Sequence, residues 1–408
     1  MRNTSRAAVR LVGWQVNNSE IVTNFLQNDG LQHPPTGLAR RCVLFTSLPE
    51  IGGHTTITLS LVRILRRLFS EILIIAREMP GHGTSRDALC ELKDQGVATH
   101  FIGRENSSLF EGVVSLVKIA FSSRWRCPDL FLTIGMRHAS PVLAFVFHPR
   151  RSVYYHITHE LTGTVLRMLR IYSWFFNQLV FISPATEGSF SNLITLRRRP
   201  TWAIQPSDLG RIPQCSERNP GCIRFGFVGR LNEAKGSKLL LNFVQTAQIS
   251  CELHIAGRGE FEDSFQTLAA KENNGPVSVY YWGAFSAAER ITFYAQFFKK
   301  VDYLVVPSLD DREGIPTVIL EALQFGTPVI ATSTGGITAF NAIALGPADV
   351  TTVQLVPKEV ILSFMIRLAQ LAPPCLEIRE QCKSYFAQYF SNSVIAKRWA
   401  SVCCLSCS

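Results

Sequence analysis

From Arg41 onward, apolar runs of strand length alternate with longer stretches of helical period. Cys42–Phe45 is followed by a helical pattern over 55–69 and then by Ile72–Ile75. Further strand candidates are Leu130–Ile134, Val153–Ile157, Leu179–Ile182 and Trp202–Ile204. Strands that alternate with helices predict a parallel sheet covered on both faces. A second series opens at Ile223–Val228 and continues through Cys251–Ala256, Val277–Trp282, Tyr303–Val306, Pro328–Thr332 and Val350–Leu355. Between the two series, Gln205–Gly221 is rich in Pro, Gly and polar residues, has no period and reads as a linker. The expected organisation is an extension over 1–40, a domain over 41–205, a linker over 206–222, a second domain over 223–387 and a C-terminal segment over 388–408. Two doubly wound α/β domains leave a cleft between the carboxyl ends of their sheets, where ligands of such folds bind.

Composition agrees with two cores. The chain has 408 residues, 47% of them apolar and 18% charged, which excludes disorder for most of its length. Its net charge of +10 lies wholly in the first half: residues 1–215 carry 24 Lys+Arg against 14 Asp+Glu, and residues 216–408 carry 17 against 17. That asymmetry suits an acidic partner such as anionic lipid headgroups, a phosphorylated acceptor or nucleic acid; a solvated basic surface accounts for it equally well. No apolar run reaches spanning length, and the best, Ile171–Ile182, is short and interrupted. Arg2, Arg6 and Arg10 have no apolar segment behind them, so no secretory signal is read and the sequons at Asn3 and Asn17 are incidental. Eleven scattered cysteines do not form a disulfide framework and point to a reducing compartment. The Cys403–Cys407 tail lacks a second pair for zinc, and Leu405 rules out a prenylation box.

The most informative segment is Glu313-Gly-Ile-Pro-Thr-Val-Ile-Leu-Glu321, followed by the glycine-rich Gly326–Gly336. Pro316 suits the first position of a helix, which puts Glu313 in the preceding loop and Glu321 in the second turn. The amides at that helix start form an anion site between the two carboxylates. Behind the first strand of the second half, Gly229-Arg230 and Lys235-Gly236 offer two cations for a diphosphate, Arg as a planar fork and Lys as a point charge. Gly257-Arg-Gly259 gives a turn in which backbone can approach a flat ligand, though it lacks the third glycine of a dinucleotide fingerprint; a tight strand-to-helix turn explains it as well. In the first half, Gly52-Gly53 leads into a helix whose starting amides suit a place facing the cleft; a common αL turn explains the glycine pair as well. His156 and His159 point to opposite faces of an extended chain, which argues against a shared metal; His159, beside Glu160, is the candidate hydrogen-bonding or acid/base group. Asp310-Asp311 supplies too few oxygens for a cation cage.

In this order, these segments resemble the retaining nucleotide-sugar glycosyltransferases of the GT-B fold, in particular glycosyltransferase family 4 (glycosyl transferases group 1). The likeness is carried by Phe227-Val-Gly-Arg-Leu231, Lys235-Gly236, Ile255-Ala-Gly-Arg-Gly259, Trp282-Gly283, Asp302–Ser308, and Glu313-Gly-Ile-Pro316 through Glu321-Ala322 to Gly335-Gly336. Over the first half it rests on Gly52-Gly53, His159-Glu160 and Phe181-Ile-Ser183, and it does not reach residues 1–40. The resemblance implies two Rossmann-like domains facing across a cleft, the first on the acceptor side and the second holding the donor, with a last helix, Phe390–Val402, crossing back. It implies that Glu321 holds the ribose hydroxyls and Glu313 those of the donated sugar, helped by the amides of Gly314, Ile315 and Thr317. Arg230 and Lys235 clamp the diphosphate, His159 approaches the sugar, and the Gly52-Gly53 loop closes over it; Gly229, Gly257 and Gly259 belong to the donor-side backbone. No metal and no cofactor beyond the nucleoside diphosphate sugar are implied.

The expected activity is therefore retaining hexosyl transfer to a glycan or lipid-linked acceptor, in the cytoplasm and peripheral to a membrane. A nucleotide-sugar epimerase or phosphorylase on the same fold, and a sugar-nucleotide binder without turnover, stand as alternatives. Nucleic-acid binding is disfavoured because no aromatic and basic residues interleave in a stacking groove.

Overall fold

The computed structural model describes residues 40–403 except 50–52, 78–83, 103–113, 115–116, 123, 136–139, 194–199, 206, 208, 210–221, 272–274, 287–288, 341–351 and 372. Residues 1–40, apart from Arg40, most of the linker, Gly52 and the tail beyond Cys403 therefore lie outside the described residues.

The first half is a parallel seven-stranded sheet in the order β3-β2-β1-β4-β5-β6-β7. Its strands are β1 Arg41–Ser47, β2 Glu71–Arg77, β3 Ala98–Ile102, β4 Leu130–Ile134, β5 Arg151–His156, β6 Gln178–Phe181 and β7 Thr201–Trp202. The helices are α1 Gly53–Leu65, α2 Arg86–Asp94, α3 Ser140–Phe147, α4 Gly163–Phe175 and α5 Pro184–Leu193. β1 and β4 are buried almost end to end, as expected of central strands covered on both faces. β3 shows no continuous apolar run because it is the edge strand and Ala98 and Thr99 are exposed, so sequence pattern missed it. The helix expected over 55–69 instead starts at Gly53 and ends at Leu65, with 66–68 as a turn that brings Phe69 N–H back to the Leu65 carbonyl.

The second half is a parallel six-stranded sheet in the order β10-β9-β8-β11-β12-β13. Here the strands are β8 Ile223–Val228, β9 Cys251–Ala256, β10 Val277–Tyr281, β11 Tyr303–Val306, β12 Val329–Thr332 and β13 Val353–Val356. Its helices are α6 Ser237–Thr246, α7 Glu262–Ala270, α8 Arg290–Lys300, α9 Thr317–Gln324, α10 Ile361–Ala369 and α11 Leu376–Tyr389. Asp302, fully buried ahead of β11, accepts from Arg224 on β8 and from Arg379 on α11, tying that helix to the sheet. The last helix, α12 Asn392–Cys403, leaves this half and packs on the first sheet. There Trp399 donates its indole N–H to the Ile204 carbonyl at 3.2 Å and meets Tyr155 edge-on, while Arg398 lies 3.9 Å over the Trp202 ring.

One hydrophobic cluster runs through both halves, and each sheet has a further cluster on its other face. No helix among the described residues is long and apolar enough to cross a membrane. The run Ile171–Ile182 is divided instead, its first part ending α4 and its last part forming β6.

Candidate functional site

At the carboxyl end of the second sheet, four loops converge. After β8, Gly229 donates to the Ala256 carbonyl at 3.0 Å and Arg230 is exposed. A short 3-10 turn, Glu233–Lys235, follows; the Asn232 side chain caps it by accepting from Lys235 N–H at 3.0 Å, which fixes where the lysine leaves the backbone. After β11, Leu309 N–H bonds the Ala234 carbonyl at 2.8 Å, laying the two loops side by side. Lys235 Nζ thereby meets Glu313 Oε2, which also accepts from the Ser308 hydroxyl at 3.2 Å. Both charged side chains remain partly exposed.

The glycines after β9 serve contact between loops. Gly257 has φ +137°, and a Cβ there would lie 1.8 Å from the Gly229 carbonyl oxygen; Gly259 is similarly crowded by Leu231. The close approach that Gly257 and Gly259 permit is thus to the Arg230 loop, with Leu231 N–H on the Arg258 carbonyl at 2.8 Å.

Glu313 is held from three sides. Its carbonyl accepts from Gly336 N–H at 2.7 Å, its own N–H donates to Asp310, and the next residue, Gly314, abuts the first half. Pro316 takes the N-cap rather than the first helical position expected, with ψ 123°, so α9 begins at Thr317. No side chain among the described residues caps this helix; Ile319 N–H bonds back to the Pro316 carbonyl at 3.1 Å, and the amides of Thr317 and Val318 remain at the helix start beside Gly314 and Ile315. The Ile315 carbonyl accepts from the Gln205 amide, and Leu209 N–H bonds the Gln324 side chain at 2.9 Å, so the start of the linker is tied to the same helix.

Glu321 lies in the second turn of α9, as the spacing predicts, but it is completely buried. One carboxylate oxygen is paired with the guanidinium of Arg290, at the start of α8, and the other has no hydrogen-bond partner among the described residues. Arg290 also lies 6.0 Å over the Tyr294 ring. Burial pulls this guanidinium's pKa down, but the Glu321 charge and Tyr294 more than offset it. Arg290 was not anticipated from sequence, and no local signal marks it: it is 31 residues from its partner, on another helix.

Across the cleft, β5 ends at His156, so His159 belongs to the turn that follows and strand alternation does not relate the two. His156 is buried among Phe181 and Phe190. His159 accepts or donates at Nδ1 to the Thr186 hydroxyl at 3.1 Å, which in turn meets Ser183. Its N–H on the backbone bonds the Arg312 carbonyl at 3.0 Å, bringing the histidine to the Glu313 loop. Burial lowers its pKa, with Asp311 opposing. Gly53 begins α1; next to it, His54 bonds the Thr46 hydroxyl at 3.0 Å, and burial lowers its pKa to about 4. Asp310 is engaged by Arg312 and Asp311 by the Thr334 hydroxyl. The structure thus brings Lys235, Glu313, the start of α9 and His159 to one place, and sets Glu321 behind it under Arg290.

Residues 222–358 match the family described as glycosyl transferases group 1. Granule-bound starch synthase 1 of Pisum sativum is 27% identical over 183 residues, which are 43% of this chain and 29% of that protein, so the chain spans well under half the length of this relative. Among solved structures, Anabaena Alr3699/HepE in complex with UDP-glucose superposes with a TM-score of 0.65 at 16% identity, covering 89% of this chain and 98% of that one. The catalytic domain of starch synthase IV from Arabidopsis thaliana, bound to ADP and acarbose, gives 0.56 at 11% identity, covering 90% and 99%. The two parallel sheets, the returning helix and these likenesses establish the GT-B fold, with the glycosyl transferases group 1 match lying in its second half.

Proposed function

We propose that the protein transfers a hexosyl group from a nucleoside diphosphate sugar to a glycan or lipid-linked acceptor, with retention of anomeric configuration and without a metal. The observation that carries this reading is the Lys235–Glu313 pair beside the uncapped start of α9. A diphosphate placed there draws Lys235 to its oxygens, with Arg230 as second cation, and frees Glu313 to accept hydroxyls of the sugar. As the sugar–phosphate bond breaks, negative charge grows on the leaving diphosphate. Fixed cations and helix amides stabilise that charge best in the transition state. The amides of Gly314, Ile315 and Thr317 orient the sugar, and Glu321 takes the ribose hydroxyls once Arg290 yields. His159, kept neutral by burial, serves as a hydrogen-bonding group from the acceptor side. Gly52 and Gly53 close over the donor, and Gly229, Gly257 and Gly259 shape its floor. Structures of the same fold with UDP-glucose, or with ADP and acarbose, support a nucleotide-sugar donor. The basic first half suits a cytoplasmic protein acting at an anionic membrane face.

Glu313→Ala should lower acceptor-dependent release of nucleoside diphosphate by about 100-fold or more while nucleotide affinity, read by calorimetry, holds. Glu321→Ala should instead weaken nucleotide binding about tenfold. Full turnover by Glu313→Ala would move the site elsewhere. A thermal-shift panel of sugar nucleotides selects the donor for both assays, since a ligand bound only by the folded state raises its stability.

A further inference from the structure

We propose that the outer face of α3 and α4 docks on an anionic lipid bilayer. This deepens the acceptor side of the reading above and rests on it for its purpose, but the surface lies away from the donor cleft and is defined by its own contacts.

α3 reads Ser-Pro-Val-Leu-Ala-Phe-Val-Phe and carries no charge at all. Ser140, Leu143, Ala144 and Phe147 face the core, yet the opposite face is apolar too: Val142 is 63% exposed and Phe145 74%. A helix apolar on every side is normally a covered helix. α4 packs beside it, turning Val165, Leu169 and Tyr172 inward and Ile171, Trp174 and Phe175 outward, with Trp174 65% exposed. On the second half, exposed apolar side chains such as Tyr280, Val360 and Leu376 are scattered over separate elements. A contiguous apolar patch of this kind marks an interaction surface.

The chemistry of the patch selects its occupant. Arg167 and Arg170 are exposed on α4, and neither helix has an acidic residue. Arg126, also exposed, extends the basic rim, whereas Arg150 and Arg124 are already paired with Asp129 and Glu71. A two-fold contact between copies would set arginines against arginines with no acid on either helix to pair them. A bilayer accepts both features at once: aromatic rings enter the headgroup boundary, and arginine stems lie along it with their heads at phosphate.

The test is flotation of the full chain, without nucleotide, on vesicles of phosphatidylcholine alone and of phosphatidylcholine mixed with phosphatidylglycerol. The protein should float only with the mixed vesicles and come off at high salt. Phe145→Ser with Trp174→Ser should weaken partitioning more than about tenfold. Arg167→Gln with Arg170→Gln should weaken it roughly 30-fold and flatten the salt dependence. Because all four side chains are exposed, melting temperatures should stay unchanged. Absence of binding to the mixed vesicles, or binding by both variants as strong as that of the unsubstituted chain, overturns the proposal. So does a dimer in sedimentation velocity that the same substitutions abolish, which would assign the face to a second copy. Transfer to a soluble acceptor without vesicle binding would sink this proposal and leave the donor site standing; vesicle binding without transfer would do the reverse.

Discussion

The two walls of the cleft are built from different chemistry. On the second-half wall, the central contacts are ion pairs, Lys235 with Glu313 and Arg290 with Glu321, with hydroxyls of Ser308 and Thr334 beside them. On the first-half wall the histidine contacts are neutral: His54 bonds the Thr46 hydroxyl, which in turn meets Thr58, and His159 bonds the Thr186 hydroxyl, which meets Ser183. The first half does have ion pairs, but Arg124–Glu71 and Arg150–Asp129 sit at the starts of its strands, the edge away from the cleft, and Arg63–Glu91 joins the last turn of α1 to α2. Charge is thus concentrated on the side that would meet a diphosphate. One wall should respond to loss of a partner charge, the other to acid.

The largest effect should come from stranding the deepest charge. Arg290→Ala leaves the Glu321 carboxylate with no cation in a site without solvent, and removal of one partner from such a pair costs about 3–5 kcal/mol. Chemical denaturation at neutral pH measures it directly. Adding Glu321→Gln to Arg290→Ala should recover much of the loss, since a neutral amide needs no counter-charge. A cost below about 1 kcal/mol, the range of exposed pairs, would show that the two walls do not differ as described.

How much of this was legible in the chain follows from how local each feature is. Strands such as Ile223–Val228 and Cys251–Ala256 were read to the residue because central parallel strands are continuous apolar runs. The edge strand β3 was not, because half of it faces water. The Glu313 to Glu321 spacing predicted the loop and second-turn placement, since helix phase is local. Its consequence, a carboxylate with no exposure, was hidden because Arg290 reads as an ordinary surface residue until α8 is laid on α9. Gly257 and Gly259 announced a close approach but not to what; the space is filled by the carbonyls of Gly229 and Leu231. Trp174 and Phe175 belong to an apolar run too short to span a membrane, and its division between α4 and β6 exposes them.

The neutral wall should reveal itself by acid. His54 has its pKa lowered by burial from 6.5 to about 4, so between those values the unfolded chain binds a proton that the folded chain refuses. Stability therefore rises with pH across that window and falls as pH drops through it. From pH 7 to pH 4 this one site should cost about 3 kcal/mol, levelling off about one pH unit lower. His159 shifts in the same direction for the same reason, with Asp311 partly opposing. Urea midpoints at three pH values, compared with those of His54→Gln, isolate the term. Identical slopes would mean that His54 is not held neutral.

At Gly314 the contact between the walls is steric. A Cβ on Gly314 would stand 2.4 Å from the Ile157 carbonyl oxygen and 3.1 Å from the Ile182 side chain, so the Glu313 loop can lie against the first half only without one. Backbone cannot rotate aside as a side-chain end could, and Gly314→Ala should therefore separate the halves locally at about 1–3 kcal/mol. No charge is gained or lost, so the penalty should be the same at low and high salt and at pH 7 and pH 5. A salt-dependent penalty would place the disturbance in the Lys235–Glu313 pair next door. A uniform one would fix the meeting of the two walls at Gly314 as simple packing, separate from the charge of Asp311 that acts on His159 nearby.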